Sequence, residues 1–80
     1  MKNIKQRVHH YTAIFELNER GGYTIMVPAL PGLVTEGKNF EEARAMAADA
    51  IRCYIEGLRK ARQKIPYEGE VAQLRLSVTV

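Results

Sequence analysis

The longest regular pattern of apolar positions lies in the middle of the chain, between Asn39 and Lys64. At 100° per residue, its apolar side chains fall within one arc and most of its charged side chains fall opposite. Asn39 is followed three residues later by Glu42, which is the spacing of a capping box at a helix start. The pattern predicts one long amphipathic helix. Its apolar arc consists of Phe40, Ala43, Ala47, Ala50, Ile51, Tyr54, Leu58 and Ala61.

Alternating apolar and polar positions on both sides of this helix predict four strands. Three of them precede the helix, at residues 10–17, 23–27 and 33–36. The fourth, residues 71–80, reads V-A-Q-L-R-L-S-V-T-V and alternates more regularly than the others. The helix therefore has a predicted partner surface, which is one face of a four-stranded sheet.

Glycine and proline residues mark the connections between these elements. Residues 18–22 form a predicted hairpin loop, and the P-A-L-P-G sequence at 28–32 must end the second strand because proline cannot donate to a sheet. Pro66 is expected to stop the helix. Residues 1–8 are polar and basic, which favours an extended N-terminal arm.

The resulting order is β-β-β-α-β, an α+β fold. Short connections predict an antiparallel meander for the first three strands. A right-handed crossover through the helix then places the fourth strand beside the first, so that the predicted sheet order is 3-2-1-4. The helix covers one sheet face and leaves the other open. With 80 residues and no internal repeat, the chain is expected to be a single domain, residues 1–80.

Composition narrows the class of protein. The hydrophobic fraction of 46% is that of a folded domain. No apolar run approaches the roughly 20 residues of a membrane span, and the N-terminus lacks the apolar stretch of a signal peptide. The single cysteine, Cys53, agrees with a reducing compartment and is expected to pack on the flank of the helix. A cytoplasmic protein without membrane contact is the expectation.

The net charge of +3 raises the alternative of a nucleic-acid partner. Glu41 and Glu42 open the predicted helix, however, and a basic cluster closes it, which is the polarity that complements a helix dipole. This account of the basic residues is favoured over a nucleic-acid site. The cluster consists of Arg59, Lys60, Arg62 and Lys64.

The sequence contains no constellation typical of catalysis. A two-metal nuclease needs carboxylates that converge from neighbouring strands and a helix, but the first strand offers only Glu16 and the fourth offers none. His9 and His10 are adjacent and would point to opposite faces of a strand. No catalytic residue, metal ligand or cofactor is therefore predicted, and the protein is expected not to be an enzyme.

An interaction surface is more plausible than an active site. The open sheet face and the fourth strand, a long edge strand without proline or lysine, favour self-association into a dimer or tetramer. The predicted interface residues on this face are Ile14, Thr24, Met26, Arg75, Ser77 and Thr79.

The turn and the helix start also resemble a known family. The residues that carry the resemblance are Val27-Pro28-Ala29-Leu30-Pro31-Gly32-Leu33-Val34-Thr35-Glu36-Gly37, Asn39-Phe40-Glu41-Glu42-Ala43 and Ala47-Ala48-Asp49-Ala50-Ile51. This pattern is similar to that of the HicB family, over about residues 10–60. The resemblance implies a partial, degenerate ribonuclease-H-like fold and the role of an antitoxin that binds HicA, a small RNA-cleaving toxin.

Many members of that family carry a DNA-binding segment after this unit. The sequence ends at Val80, so no DNA binding through this chain alone is expected. The leading hypothesis is a non-enzymatic HicB-like antitoxin or regulatory domain that acts by binding another protein, possible partners being a HicA-type toxin and further copies of itself. The alternative is an orphan, vestigial ribonuclease-H-like module with weak RNA binding.

Overall fold

The computed structural model describes residues 8–80, and it contains three short strands followed by one helix. The strands are β1 (Ile14–Leu17), β2 (Tyr23–Met26) and β3 (Val34–Gly37), and the helix is α1 (Phe40–Lys60). Both strand pairs are antiparallel, and the sheet order is β1-β2-β3. The α+β class and the meander are therefore confirmed.

The predicted fourth strand is wrong for the described chain, because residues 71–80 form no strand. The sheet order is accordingly 3-2-1 and not 3-2-1-4. The physical reason is where the chain runs after the helix: Val71 to Gln73 lie in a groove with Pro28 and Ala29, beyond the end of β2, and find no backbone ladder along β1. The ribonuclease-H-like relationship stays a prediction.

The start of α1 agrees with the sequence pattern. Asn39 is the N-cap, and its side-chain oxygen accepts a hydrogen bond of 2.8 Å from the backbone N–H of Glu42. The Glu42 carboxylate in turn accepts from the backbone N–H of Lys38 at 2.6 Å, one residue earlier than in a standard capping box. The first bond satisfies a donor that the first helical turn leaves free, and the second joins the residue before the cap to that turn.

The end of α1 was predicted wrongly. The helix ends at Lys60 and not at Lys64, well before Pro66. Arg62 adopts a left-handed backbone conformation, with φ of 57°, and the N–H of Gln63 donates to the carbonyl of Leu58 at 2.9 Å. This is the hydrogen bond of a Schellman motif. A left-handed residue therefore stops the helix, and the proline is not needed.

The core lies between α1 and one face of the sheet, in two clusters of buried side chains. Ile25 packs with Ala43 and Ala47 near the start of the helix. The second cluster lies under the later turns and consists of Val27, Leu30, Leu33 and Ile55. All seven side chains are apolar, and no buried polar or charged residue occurs among residues 8–80.

The predicted apolar arc is correct for Ala43 and Ala47 and incomplete elsewhere. Phe40 is 51% exposed and instead forms an aromatic cluster with Phe15 and Tyr23, at ring-centroid distances of 5.0 and 5.7 Å. Ala61 is exposed, whereas Ile55, outside the predicted arc, is buried. The apolar face of the later turns therefore includes Ile55, which packs in the cluster with Val27, Leu30 and Leu33.

Within residues 8–80, no helix combines the length and the apolar character that crossing a bilayer requires. The predicted N-terminal arm, residues 1–8, lies outside the described residues except for Val8.

Candidate functional site

The sheet face that α1 does not cover carries two parallel rows of side chains. Ile25 is fully buried against the helix, so its neighbours Thr24 and Met26 point to the opposite, open face. The strand register places Met26 between Ile14 and Val34, and Thr24 between Glu16 and Glu36. We call these the apolar row and the acidic row.

The apolar row presents three aliphatic side chains side by side. Met26 is 44% exposed and Val34 is 62% exposed, while Ile14 is partly covered. Directly opposed residues in an antiparallel sheet have their Cβ atoms about 4.5–5.5 Å apart. The row is therefore a continuous apolar strip across all three strands.

The acidic row lies next to this strip. Glu16 and Glu36 are exposed, and Thr24 is partly covered between them. In the part of the chain that the structure describes, no ion pair engages either carboxylate; the side-chain ion pair found there joins Arg52 and Asp49 on the helix. Both carboxylates can therefore offer their charge to a partner.

A groove of about 540 Å³ continues the open face past the beginning of β1. Thr12, Ile14, Pro28 and Ala29 line it from the sheet side. The segment after the helix, including residues 71–73, lines it from the other side. The apolar row thus extends into a concave surface at one end.

Two side chains fix the position of that segment beside β1. The Tyr11 hydroxyl donates to the carbonyl of Pro66 at 2.6 Å. The carboxylate of Glu68 accepts from the backbone N–H of Thr12 at 2.7 Å and from its hydroxyl at 2.5 Å. We call these contacts the β1 anchor.

The β1 anchor changes the acidity of both ionisable groups in it. The hydrogen bonds from the side chain and the backbone of Thr12 lower the pKa of Glu68, because they favour the charged carboxylate. Burial raises the pKa of Tyr11, and the negative charge of Glu68 raises it further. The anchor is therefore formed by an ionised Glu68 and a neutral Tyr11.

The structure brings together three of the six predicted interface residues. Ile14, Thr24 and Met26 share the open face, as the alternation predicts. Arg75, Ser77 and Thr79 do not join them, because residues 71–80 form no strand beside β1, and all three are exposed. That part of the predicted interface does not form within one chain.

Sequence reasoning missed two members of the open face, Val34 and Glu36. The signal was present, since the pattern of residues 33–37 alternates and Leu33 and Gly37 are buried. Cys53 was misplaced as well. It is exposed and does not pack on the helix flank.

The histidines and carboxylates do not gather into a metal centre. Among the described residues, no group of three His, Cys, Asp or Glu side chains is placed to hold a metal ion. The His9 ring stacks on the Tyr11 ring at a centroid distance of 6.3 Å, beside the β1 anchor.

Comparison with known proteins identifies the family. The model of the HicB_like antitoxin of bacterial toxin-antitoxin systems matches residues 11–78, which is most of the chain. The chain belongs to the HicB-like antitoxin family. No solved structure matches it.

Relatives of this HicB-like chain occur in archaea and bacteria. It is similar to the UPF0150 protein Ta0767 of Thermoplasma acidophilum, with 50% identity over 70% of this chain and 81% of the relative. It is also similar to the UPF0150 protein ssr1765 of Synechocystis, with 36% identity over 79% of this chain and 80% of the relative. The protein named Antitoxin HicB 1 of Photorhabdus laumondii is 38% identical over 79% of this chain, and the match covers 41% of that longer protein.

Residues of the HicB-like motif stabilise the fold. Leu30 of the P-A-L-P-G turn is fully buried, and Gly32 adopts a φ of 85°, which favours glycine. The Tyr54 hydroxyl donates to the carbonyl of Pro31 at 2.9 Å and ties the turn to the helix. The family pattern therefore maintains the scaffold that presents the open face.

Proposed function

We propose that this chain is a non-enzymatic, cytoplasmic HicB-like antitoxin domain that binds an RNA-cleaving toxin of the HicA type and occludes the surface on which the toxin holds RNA. In this proposal, the open sheet face is the contact surface, and the domain acts as a homo-oligomer. The observation that carries the proposal is the apolar row beside the acidic row on an uncovered sheet face. Family membership and the name of the Photorhabdus relative support it.

The chemistry of the open face suits a basic partner. A protein that binds RNA neutralises phosphates with lysine and arginine side chains. An antitoxin that blocks such a surface gains association rate and specificity from carboxylates placed opposite those cations. Glu16 and Glu36 provide two such charges, and the apolar row provides area that can be buried beside them.

The overall charge of +3 does not oppose this proposal, because the charges are separated in space. Arg59 and Lys60 lie in the last turn of α1, and Arg62 follows it. The charged residues in the acidic row are both acids. A partner that docks on the open face therefore meets a local charge opposite to that of the whole chain.

The same geometry disfavours metal-dependent nuclease chemistry on this face. Glu16 lies on β1 and Glu36 on β3, with β2 between them. Neighbouring strands are about 4.8 Å apart, so the two backbone positions are separated by roughly 10 Å. Two carboxylates supply fewer oxygen ligands than a metal-dependent nuclease site needs, and among the described residues no group of three His, Cys, Asp or Glu side chains is placed to hold a metal ion. Binding is the function that these acids support.

The experiment is co-expression with the protein encoded beside this chain. We expect the two proteins to co-purify and growth arrest by the partner to be relieved. Met26→Glu should abolish both effects, because it places a charge in the apolar row. Met46→Glu is the matched control, since Met46 on the helix is also 44% exposed but lies away from the open face. Absence of any complex, or equal loss with both variants, would contradict the proposal.

The alternative of a weak RNA-binding module rests on the exposed basic residues at the end of α1. Their agreement with the helix dipole is a sufficient structural account. A gel-shift titration with single- and double-stranded RNA at low and physiological salt tests it. Binding that falls steeply with salt and is lost in Arg59→Ala/Lys60→Ala would favour this alternative over the antitoxin proposal.

A further inference from the structure

The last ten residues have the pattern of a strand but no partner. Residues 71–80, which we call the C-terminal arm, are all exposed. Leu74, Leu76 and Val78 alternate with polar residues and are 77, 74 and 81% exposed. Apolar side chains stabilise a protein only when they are removed from water. One folded chain provides no surface that covers these leucines and valines, so a second molecule is needed to bury them.

A vacant strand position exists on the same molecule. β1 is an edge strand of the sheet, hydrogen-bonded on one side to β2 only. Its helix-facing side also carries Leu17, which is 66% exposed. A strand added along β1 would satisfy the free backbone groups of this edge and cover Leu17.

The arm of the same chain does not take that position. The β1 anchor holds Pro66 and Glu68 at the start of β1. From there, residues 71–73 run into the groove with Pro28 and Ala29. The chain thus leaves β1 at its beginning. Ten residues in extended form span about 33 Å, whereas the four residues of β1 span about 13 Å, so the arm reaches well beyond its own sheet.

We propose that the C-terminal arm is exchanged between two copies of this chain, and that each arm adds as a fourth strand to the outer edge of β1 in the other copy. The two contacts are related by a two-fold axis, so each chain gives one arm and receives one. This inference rests on the self-association part of the proposed function and names its surface. It does not depend on the toxin.

The two faces of the arm match the two sides of that edge. With Leu74, Leu76 and Val78 on the helix side, they lie beside Phe15 and Leu17 of the other copy. Gln73, Arg75, Ser77 and Thr79 then fall on the open face and extend its polar surface. The Arg75 guanidinium of one copy and the Glu16 carboxylate of the other then lie on the same, open face of the sheet. Arg75, Ser77 and Thr79 thereby join the predicted interface in the dimer, although they do not in one chain.

The first test is the mass of the full chain in solution. Sedimentation at tens of micromolar should show twice the 9.1 kDa of the single chain. Leu74→Asp/Leu76→Asp should shift the dissociation constant upward by at least 100-fold, with the helical circular dichroism retained. Met46→Asp, on α1 and 44% exposed, is the control outside the proposed interface and should remain dimeric. A wild-type chain that sediments as a monomer would overturn both the exchange and the self-association proposal.

The second test locates the arm. In a Cys53→Ser background, one tagged chain carries Glu16→Cys and a second, differently tagged chain carries Arg75→Cys or Ser77→Cys. After co-expression, a short bismaleimide should link the two tags, because neighbouring positions on adjacent strands lie about 5 Å apart. Since each chain has one cysteine, no link within a chain can form. Links mainly between two arm cysteines would overturn the exchange while leaving self-association intact.

Discussion

The backbone of Gly37 lies directly beneath Ala43. A Cβ at position 37 would stand 2.3 Å from the backbone nitrogen of Ala43 and 2.4 Å from its Cα. These are contacts with backbone atoms of the first helical turns, which cannot move aside as a flexible side chain can. The absence of a side chain at the end of β3 therefore sets how closely α1 approaches the sheet.

Gly37→Ala should destabilise the fold by about 1–3 kcal/mol, as overpacking does in a close-packed core. Urea denaturation followed by circular dichroism measures the change. The matched control is Gly57→Ala, because Gly57 lies on the exposed side of α1 with no neighbour within 4 Å of an added Cβ. That variant should gain about 0.5–1 kcal/mol. Equal effects of the two substitutions would contradict the close contact.

Leu30→Ala should cost about 2–5 kcal/mol, because Leu30 is fully buried between the P-A-L-P-G turn and the helix. Thermal and urea unfolding give the value. Met46→Ala removes an apolar side chain that is 44% exposed, and we expect a change within about 0.5 kcal/mol. A small effect at Leu30 would mean that the turn packs differently.

Arg62→Gly should stabilise the protein by about 0.5–1 kcal/mol, since a non-glycine residue with φ of 57° carries strain that glycine does not. Arg59→Gly is the control with the same change of charge. It lies inside the last turn of α1 and should be destabilising. Opposite signs in urea unfolding are the expected result, and the same sign for both would exclude a left-handed residue at 62.

The β1 anchor should weaken in acid. The pKa of Glu68 is lower in the folded chain than the ordinary 4.5, so its contribution is present above that value and is lost as the pH falls through the folded pKa. Carbon-detected NMR of the Glu68 carboxyl should show a midpoint below 4.5. Thr12→Val removes the hydroxyl donor and should raise that midpoint. A midpoint that Thr12→Val leaves unchanged would contradict the bond.

The anchor should also weaken in strong base. The pKa of Tyr11 is raised above the ordinary 10.0, mainly by burial, so the neutral phenol is favoured in the folded state. Its contribution is complete below pH 10 and is lost as the pH rises through the folded pKa, when the hydroxyl can no longer donate to Pro66. Subtracting the ultraviolet titration of Tyr11→Phe from that of the wild type isolates the Tyr11 phenol, whose midpoint should lie above 10.0. A midpoint at or below 10.0 would contradict the raised pKa of Tyr11.

The sequence predicted those elements whose pattern is local. The alternation of residues 10–17 and 23–27 predicted a hairpin and assigned its side chains to the correct faces of the sheet. The strands themselves are shorter than the alternating segments. The Asn39 cap and the burial of Ala43 and Ala47 on α1 were also correct, because capping and helical spacing act over a few residues. Half of the candidate site, Ile14, Thr24 and Met26, followed from this alternation alone.

The wrong predictions concern residues whose structure depends on contacts with distant parts of the chain. Residues 71–80 have an ideal strand pattern, but a strand also needs a partner, and alternation does not say which edge or which chain provides it. Arg62 ended the helix through a backbone conformation that its side chain does not favour, so composition gave no sign of it. Leu30 looked like a turn residue between two prolines, yet it is one of the most buried side chains.

The apolar composition of the core determines where a change of pH acts on this molecule. The buried side chains of residues 8–80 carry no proton-binding group, so no change of ionisation takes place inside the core. The pKa shifts at Tyr11 and Glu68 occur outside it, at the place where the chain leaves the sheet toward the C-terminal arm. Acid or base should therefore act first on the attachment of the arm, while the scaffold that carries the open face stays folded.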